Sequence, residues 1–336
     1  GYVIGPDIIR VSIKLGVGVD VSKISKYTSD IKMWLAINEE PSIFIEDGFV
    51  KLDIARKNRK IVSFRECISK TLENPNILKD REDKLYVLLG ADIVGNSRLI
   101  DLSDSNNPHL LVAGQTGSGK SVLLASMLTS MMVYYTPDEL EFWLVDPKMV
   151  ELTVFEESIF TKHSVTEAEE VEEMLKEVVN EMNRRYKLFK ANKVQNIASY
   201  NRNVESDEKL KRIVVVIDEY GVLMESGNEF KKEFETSLKK LSQLARAAGI
   251  HLIICTQSPK ADIITTTIRN NLPARIGLKV ADSNASGLIL DGSGCEKLLG
   301  KGDMLLKTAD TSIPVRCKSP FIEQDEIRAL NEYYEK

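Results

Sequence analysis

Residues 114–121 read Gly114-Gln115-Thr116-Gly117-Ser118-Gly119-Lys120-Ser121. The spacing is G-x-x-x-x-G-K-[ST], the pattern of a phosphate-binding loop. Glycines let the backbone curl so that several N–H groups face one point. Gly114, Gln115, Thr116, Gly117, Ser118 and Gly119 would form that cradle. Lys120 would reach the β- and γ-phosphates, the Ser121 hydroxyl would ligate Mg²⁺, and Val122 would open a helix whose positive end faces the anion. A second signal is Ile213-Val214-Val215-Val216-Ile217-Asp218-Glu219, a β-branched run ending in two carboxylates. Ligands in open α/β sheets bind at that end of a strand. Asp218 would hold Mg²⁺ through its water shell, and Glu219 would polarise an attacking water as general base. Together the two signals imply ATP with Mg²⁺, bound for hydrolysis.

Three further residues have weaker claims. Gln257 follows the apolar run Leu252–Cys255 and Thr256. It would sit near the γ-phosphate as a sensor, or simply end a strand. Arg246 and Arg275 are candidates for the cation that stabilises transition-state charge on the γ-phosphate. Either could be a surface ion pair instead.

Elements of the right kind flank these residues. His109–Ala113 is a short apolar run suited to a buried strand, and Val122–Leu128 starts a helical pattern. From about residue 101 strands and helices alternate, the mark of a parallel α/β sheet. The expected strands are Leu110–Ala113, Phe142–Val145, Ile213–Ile217, His251–Thr256, Arg275–Val280 and Met304–Leu306. A long helix is expected over Thr166–Lys190, acidic at its start and basic at its end, which suits the helix dipole. Asn201–Lys211 reads as a polar loop. Residues 101–336 thus form one expected domain. Residues 1–66 form a small α+β block, with alternating runs at Val3–Val11 and Phe44–Leu52 and helical spacing over Ser22–Ile37. Its end is basic (Lys51, Arg56, Lys57, Arg59, Lys60, Arg65), either a solvated face or a contact with nucleic acid or another subunit. Residues 67–100 read as a linker, with a turn at Asn74-Pro75-Asn76 and an edge strand near Tyr86–Gly90.

The bulk numbers set outer limits. The chain has 336 residues, 43% hydrophobic and 28% charged, with a net charge of −5. That is ordinary globular composition of about two domains. The charge argues against a bulk electrostatic binder of nucleic acid, but not against a ring with a basic pore. Four scattered cysteines, without C-x-x-C, read as reduced cytosolic thiols rather than a zinc site. The first residue is not Met, which fits a piece of a longer protein. No apolar run reaches membrane-spanning length, so an anchor of the parent protein at the inner face of the cell membrane would lie outside these residues.

The motifs as a set resemble the motor region of FtsK/SpoIIIE-type DNA translocases. Leu110–Val122 (LLVAGQTGSGKSV) is similar to that family's phosphate loop, and Asp146–Leu152 (DPKMVEL) to its DPKxxEL segment. Asn180–Tyr186, Asn196–Asn201, Asp218-Glu219, Ala245–His251 (ARAAGIH) and Leu298–Leu305 (LLGKGDML) follow in the family's order. Gly5-Pro6 and Val21–Ile24 resemble the small domain that precedes the motor. The resemblance implies a RecA-like P-loop NTPase domain with a mainly parallel sheet, preceded by a small α+β domain. It implies a homo-oligomer, a hexameric ring around double-stranded DNA with ATP between neighbours, serving chromosome partitioning or mobile-element transfer. It also makes Arg246 the preferred arginine finger, with Arg275 the runner-up. Three departures stand out. Thr256-Gln257-Ser258-Pro259 replaces the usual Thr-Gln-Arg-Pro. Residues 281–287, where the family usually carries pore-facing cations, have none. No counterpart of the family's winged helix follows before Lys336. A type VII secretion-like ATPase acting on proteins is the alternative that shares the fold.

Overall fold

Strands rich in Val, Ile and Leu, buried on both faces, build the centre of the molecule. The computed structural model describes residues 1–335. Its N-terminal part is an antiparallel sheet of β1 (Tyr2–Ile4), β2 (Ile8–Ile13), β3 (Ser42–Glu46) and β4 (Phe49–Ala55), in the order β1-β2-β4-β3. Each alternating run expected here is two strands joined by a turn. The expected helix over Ser22–Ile37 is broken into Val21–Ser25 and Thr28–Leu35, and neither buries a residue.

The expected linker at 67–100 is not a linker in the fold. It carries part of the helix Phe64–Leu72, the short helix Pro75–Lys79, and two strands, β5 (Tyr86–Asp92) and β6 (Ser97–Asp101). Both strands belong to the larger sheet, and β5 is buried almost throughout. Its Leu88, Leu89 and Gly90 sit in the core where a linker would be solvated.

The larger sheet continues with β7 (Leu110–Ala113), β8 (Leu140–Val145), β9 (Thr161–Val165), β10 (Arg212–Ile217), β11 (Ile250–Thr256), β12 (Ala274–Leu278), β13 (Asp303–Lys307) and β14 (Val315–Lys318). Its ten strands run β6-β5-β14-β13-β12-β7-β11-β10-β8-β9. From β12 through β9 every pairing is parallel, and from β13 to β6 every pairing is antiparallel. This is the expected α/β class with a mainly parallel, RecA-like core. The antiparallel wing was not foreseen.

The sheet has an apolar layer on each face. Val214 and Val216 of β10 pack into one, with the helix Lys120–Tyr134. Ile213, Val215 and Ile217 pack into the other, with the helices Ala168–Ala191 and Asn228–Leu244. Alternate side chains of a strand point to opposite faces, so a continuous apolar run is what such a strand requires. All four cysteines are free and buried. No helix among the described residues is long and apolar enough to cross a membrane.

Candidate nucleotide site

The phosphate loop leaves β7 at its C-terminal end and is wedged between its two neighbours in the sheet. The Gly114 N–H donates to the Thr256 carbonyl of β11 at 3.2 Å, and the Gln115 N–H to the Lys279 carbonyl beyond β12 at 2.9 Å. Gly119, at φ 103°, then starts the helix Lys120–Tyr134. That left-handed conformation favours glycine. The loop is also braced from above. The Gly302 N–H donates to the Ser118 carbonyl at 2.7 Å, and a Cβ on Gly119 would collide with the Gly302 backbone.

Lys120, Asp218 and Glu219 meet at this sheet edge. Lys120 is buried and paired with the buried Asp218. Burial pushes the Asp218 carboxyl above its usual range, and the Lys120 ammonium opposes that push. The other Asp218 oxygen, Oδ2, is buried without a partner, as is the Ser118 hydroxyl. Buried polar atoms ordinarily have partners, so the unpaired Asp218 Oδ2, beside Lys120, fits a polar ligand. Among the described residues no three acidic, histidine or cysteine groups are arranged so that they could hold a metal ion by themselves. Magnesium suits such a site, because it takes only one or two protein oxygens and fills the rest with water and substrate phosphates.

Glu219 has a left-handed backbone, φ 51°, which is uncommon for a residue with a side chain and worth tracing to its surroundings. Its Oε1 accepts from the Gln257 N–H at 3.0 Å and the Thr256 hydroxyl at 3.4 Å, and its Oε2 from Lys148 Nζ at 3.0 Å. Gln257 also accepts, through Oε1, from the Thr116 hydroxyl at 2.7 Å. Gln257 therefore joins the phosphate loop to Glu219. Lys148 stands on a loop held by Asp146, whose carboxylate accepts from the N–H groups of Lys148, Val150, Glu151 and Leu152 at 2.9–3.2 Å.

A cavity of about 700 Å³ opens beside these groups. That is within the size of small-molecule sites. Gln115, Thr116, Gly117, Gly119, Lys120, Ser121 and Val122 line one side. Arg59–Val62, together with Ser319, Pro320 and Phe321, line another part of its wall. The sequence reading missed this wall. The basic stretch 56–60 was visible, but its closeness to Phe321 depends on chain contacts more than 250 residues apart, such as the Phe321 N–H to the Val62 carbonyl at 2.8 Å.

The two arginines lie elsewhere. Arg246 precedes β11, while Gln257 follows it. At about 3.3 Å per residue, the strand puts roughly 20 Å between them. Arg246 is exposed, and its Nε donates to the Ser103 carbonyl at 3.1 Å. Arg275 also sits at the starting end of its strand, but buried. It donates to the carbonyls of Leu272, Ile289 and Arg269 and to Asp291 at 2.7–3.2 Å. Neither is near the phosphate loop of its own chain.

Sheet order, phosphate loop and paired carboxylates define a RecA-like P-loop ATPase fold. The FtsK/SpoIIIE family model matches residues 71–261. The DNA translocase FtsK of Streptococcus agalactiae is 39% identical over 341 residues, covering 97% of this chain and 40% of that protein. The DNA translocase FtsK of Lactococcus lactis subsp. cremoris is 40% identical over 342 residues, covering 98% and 43%. The chain belongs to the FtsK/SpoIIIE family and spans less than half the length of these relatives. Among solved structures, the pCW3 conjugation coupling protein TcpA, a monomer form with ATPγS, superposes with a TM-score of 0.70 at 27% identity, covering 100% of this chain and 92% of that one. The cytoplasmic domain of the Thermomonospora curvata type VII secretion ATPase EccC gives 0.66 at 22% identity, covering 75% and 31%, a likeness of fold alone.

Proposed function

We infer that this chain is the ATP-hydrolysing motor of a translocase for double-stranded DNA, working as a ring of copies, with six as the expected number. The observation that carries the reading is the division of the site between two edges of one sheet. Lys120, Asp218, Glu219 and Gln257 converge at the C-terminal edge. Arg246 lies exposed near the opposite edge, where its own chain gives it no phosphate to meet. A finger there completes a neighbour's site, so the catalytic unit is a pair of copies. Names of the relatives supply the substrate, since two translocases of DNA align with nearly all of this chain.

In this reading the phosphate loop and Val122 hold the nucleotide, and Lys120 leaves Asp218 to pair with the β- and γ-phosphates. Ser121 and Asp218 hold Mg²⁺, which supplies charge neutralisation on the phosphates. Glu219 orients a water and takes its proton. Gln257 links γ-phosphate occupancy to Glu219 through the bonds it already makes. Chromosome partitioning and transfer of a mobile element are both served by such a motor. Burial of Arg275 among carbonyls supports Arg246 over it as the finger. The three-part division of the chain drawn at residues 66 and 100 gives way, in this reading, to a small sheet domain and a motor that includes β5 and β6.

The test is ATP turnover at low salt with and without duplex DNA. Turnover should rise at least several-fold with DNA and vanish in Glu219→Gln. A second reading, action on protein substrates as in type VII secretion, gains from the lack of cations at 281–287. Turnover indifferent to duplex DNA yet lost in Glu219→Gln would favour it and sink the first.

A further inference from the structure

Lys148 is outside every role assigned so far, yet it makes the only ion pair to Glu219 among the described residues. The two residues come from neighbouring parallel strands. β8 ends at Val145 and β10 at Ile217, directly paired in register. The chain then reaches Lys148 and Glu219 by short steps from those paired ends. On the Lys148 side the backbone is fixed, because the Asp146 carboxylate binds four N–H groups of the loop, those of Lys148, Val150, Glu151 and Leu152. On the other side of Glu219, β11 ends in the Gln257 N–H and the Thr256 hydroxyl, both turned to Oε1. The carboxylate is therefore held from two strand ends at once, one donor set on each oxygen.

We propose that Lys148 is a positioning residue for Glu219, fixing Oε2 while Gln257 fixes Oε1. Lys148 is 43% exposed at its side chain while Glu219 is 3% exposed, so the ammonium stands on the solvent side of the carboxylate. That arrangement leaves the plane of the carboxylate no freedom to turn. A general base needs that constraint, because misplacement of about 1 Å costs on the order of a hundredfold in rate. Arginine can make the same contact and methionine cannot, although their stems fill similar space. The inference rests on the reading of Glu219 as the base, and its test separates the two.

The first measurement needs no turnover. Lys148→Met, Glu219→Gln and the double variant are compared by denaturant midpoint without nucleotide. The pair is real if Lys148→Met lowers the midpoint in the presence of Glu219 and much less in the presence of Gln. Additive shifts overturn the proposal. The second is ATP turnover. Lys148→Met should lower kcat about tenfold or more with KM within about twofold, and Lys148→Arg should recover most of the loss. A change confined to KM would make Lys148 a nucleotide contact, and a rise in kcat would make it a restraint on Glu219. Either result overturns positioning. If Glu219→Gln keeps full turnover, the base assignment fails instead, while the midpoint comparison still reports whether the pair exists.

Discussion

Arg246 and Arg275 carry the same guanidinium, and their surroundings divide them. Arg275 has spent its donors on three carbonyls and Asp291. Removing it strands the Leu272 and Ile289 carbonyls in a buried place, which costs about 2–4 kcal/mol. Arg246 makes one exposed bond, and its removal should change stability by less than about 1 kcal/mol. The expected result is a clean split. Arg246→Ala keeps the melting temperature and loses ATP turnover about a thousandfold, the usual worth of a finger. Mixed with wild-type chain it also depresses activity more than dilution does. Arg275→Ala melts several degrees lower. Equal melting shifts, or an Arg246→Ala mixture that behaves as simple dilution, would sink the assignment. Residue type was legible for both arginines and a strand position for Arg275, but the sequence held no sign of which donors were spent. Lys148 was missed for a related reason: its contact depends on two strand ends and a left-handed backbone at Glu219.

Central strands with both faces buried were the easiest to read, and so was the amphipathic helix Ala168–Ala191, expected over Thr166–Lys190. β7, β10 and β11 are runs of Val, Ile and Leu, and their observed bounds fall within about a residue of expectation. β9 (TKHSV) and β14 (VRCK) went unseen because they are half-buried and polar. β5 went unseen as a core strand because it follows a polar turn. Two histidines at the start of β7 and β11 show what such packing does to titration. The His109 Nδ1 accepts from the Leu252 N–H at 3.0 Å, and His251 Nδ1 donates to the Pro108 carbonyl at 3.0 Å. Burial lowers both rings from 6.5 to about 3. The unfolded chain therefore binds protons first as pH falls. Stability is complete above about 6.5 and drains away between there and 3, at up to about 1.4 kcal/mol per pH unit for each ring. Between pH 7 and pH 5 each histidine should cost about 2 kcal/mol by this linkage. His→Asn at both positions keeps the Nδ1-side hydrogen bonds and removes the titration. Urea midpoints at the two pH values should fall further in the wild-type chain than in the double variant, and parallel falls would refute the claim.

At the scale of the whole molecule, two sheets share one pocket, and a chain of buried charges joins them. Asp53 of β4 accepts from Arg10 of β2 at 2.7 and 2.9 Å and from Arg316 of β14 at 3.0 Å. Arg316 in turn holds Asp303 of β13 with two bonds at 2.6 and 3.0 Å. Beside it, Lys318 of β14 pairs with Asp7 at 2.5 Å. The strap of residues 56–63 leaves β4, passes this seam, and supplies the pocket wall at Arg59–Val62. Nucleotide affinity should therefore depend on a carboxylate that lines no part of the pocket. In Asp53→Asn the two arginines keep their charges and lose the one that joins them. Breaking a buried pair costs about 3–5 kcal/mol, and Asp303 still serves Arg316, so about 2–3 kcal/mol of docking should be lost. The strap carries Arg56, Lys57, Arg59 and Lys60, all trypsin sites. Cleavage there should speed up in Asp53→Asn, and ATPγS binding should weaken several-fold with Lys120 and Asp218 untouched. A strap that is cut faster while affinity stays at the wild-type value would show that the wall adds nothing to binding. The nucleotide would then report only to the larger sheet, and the smaller one would need another route to feel it.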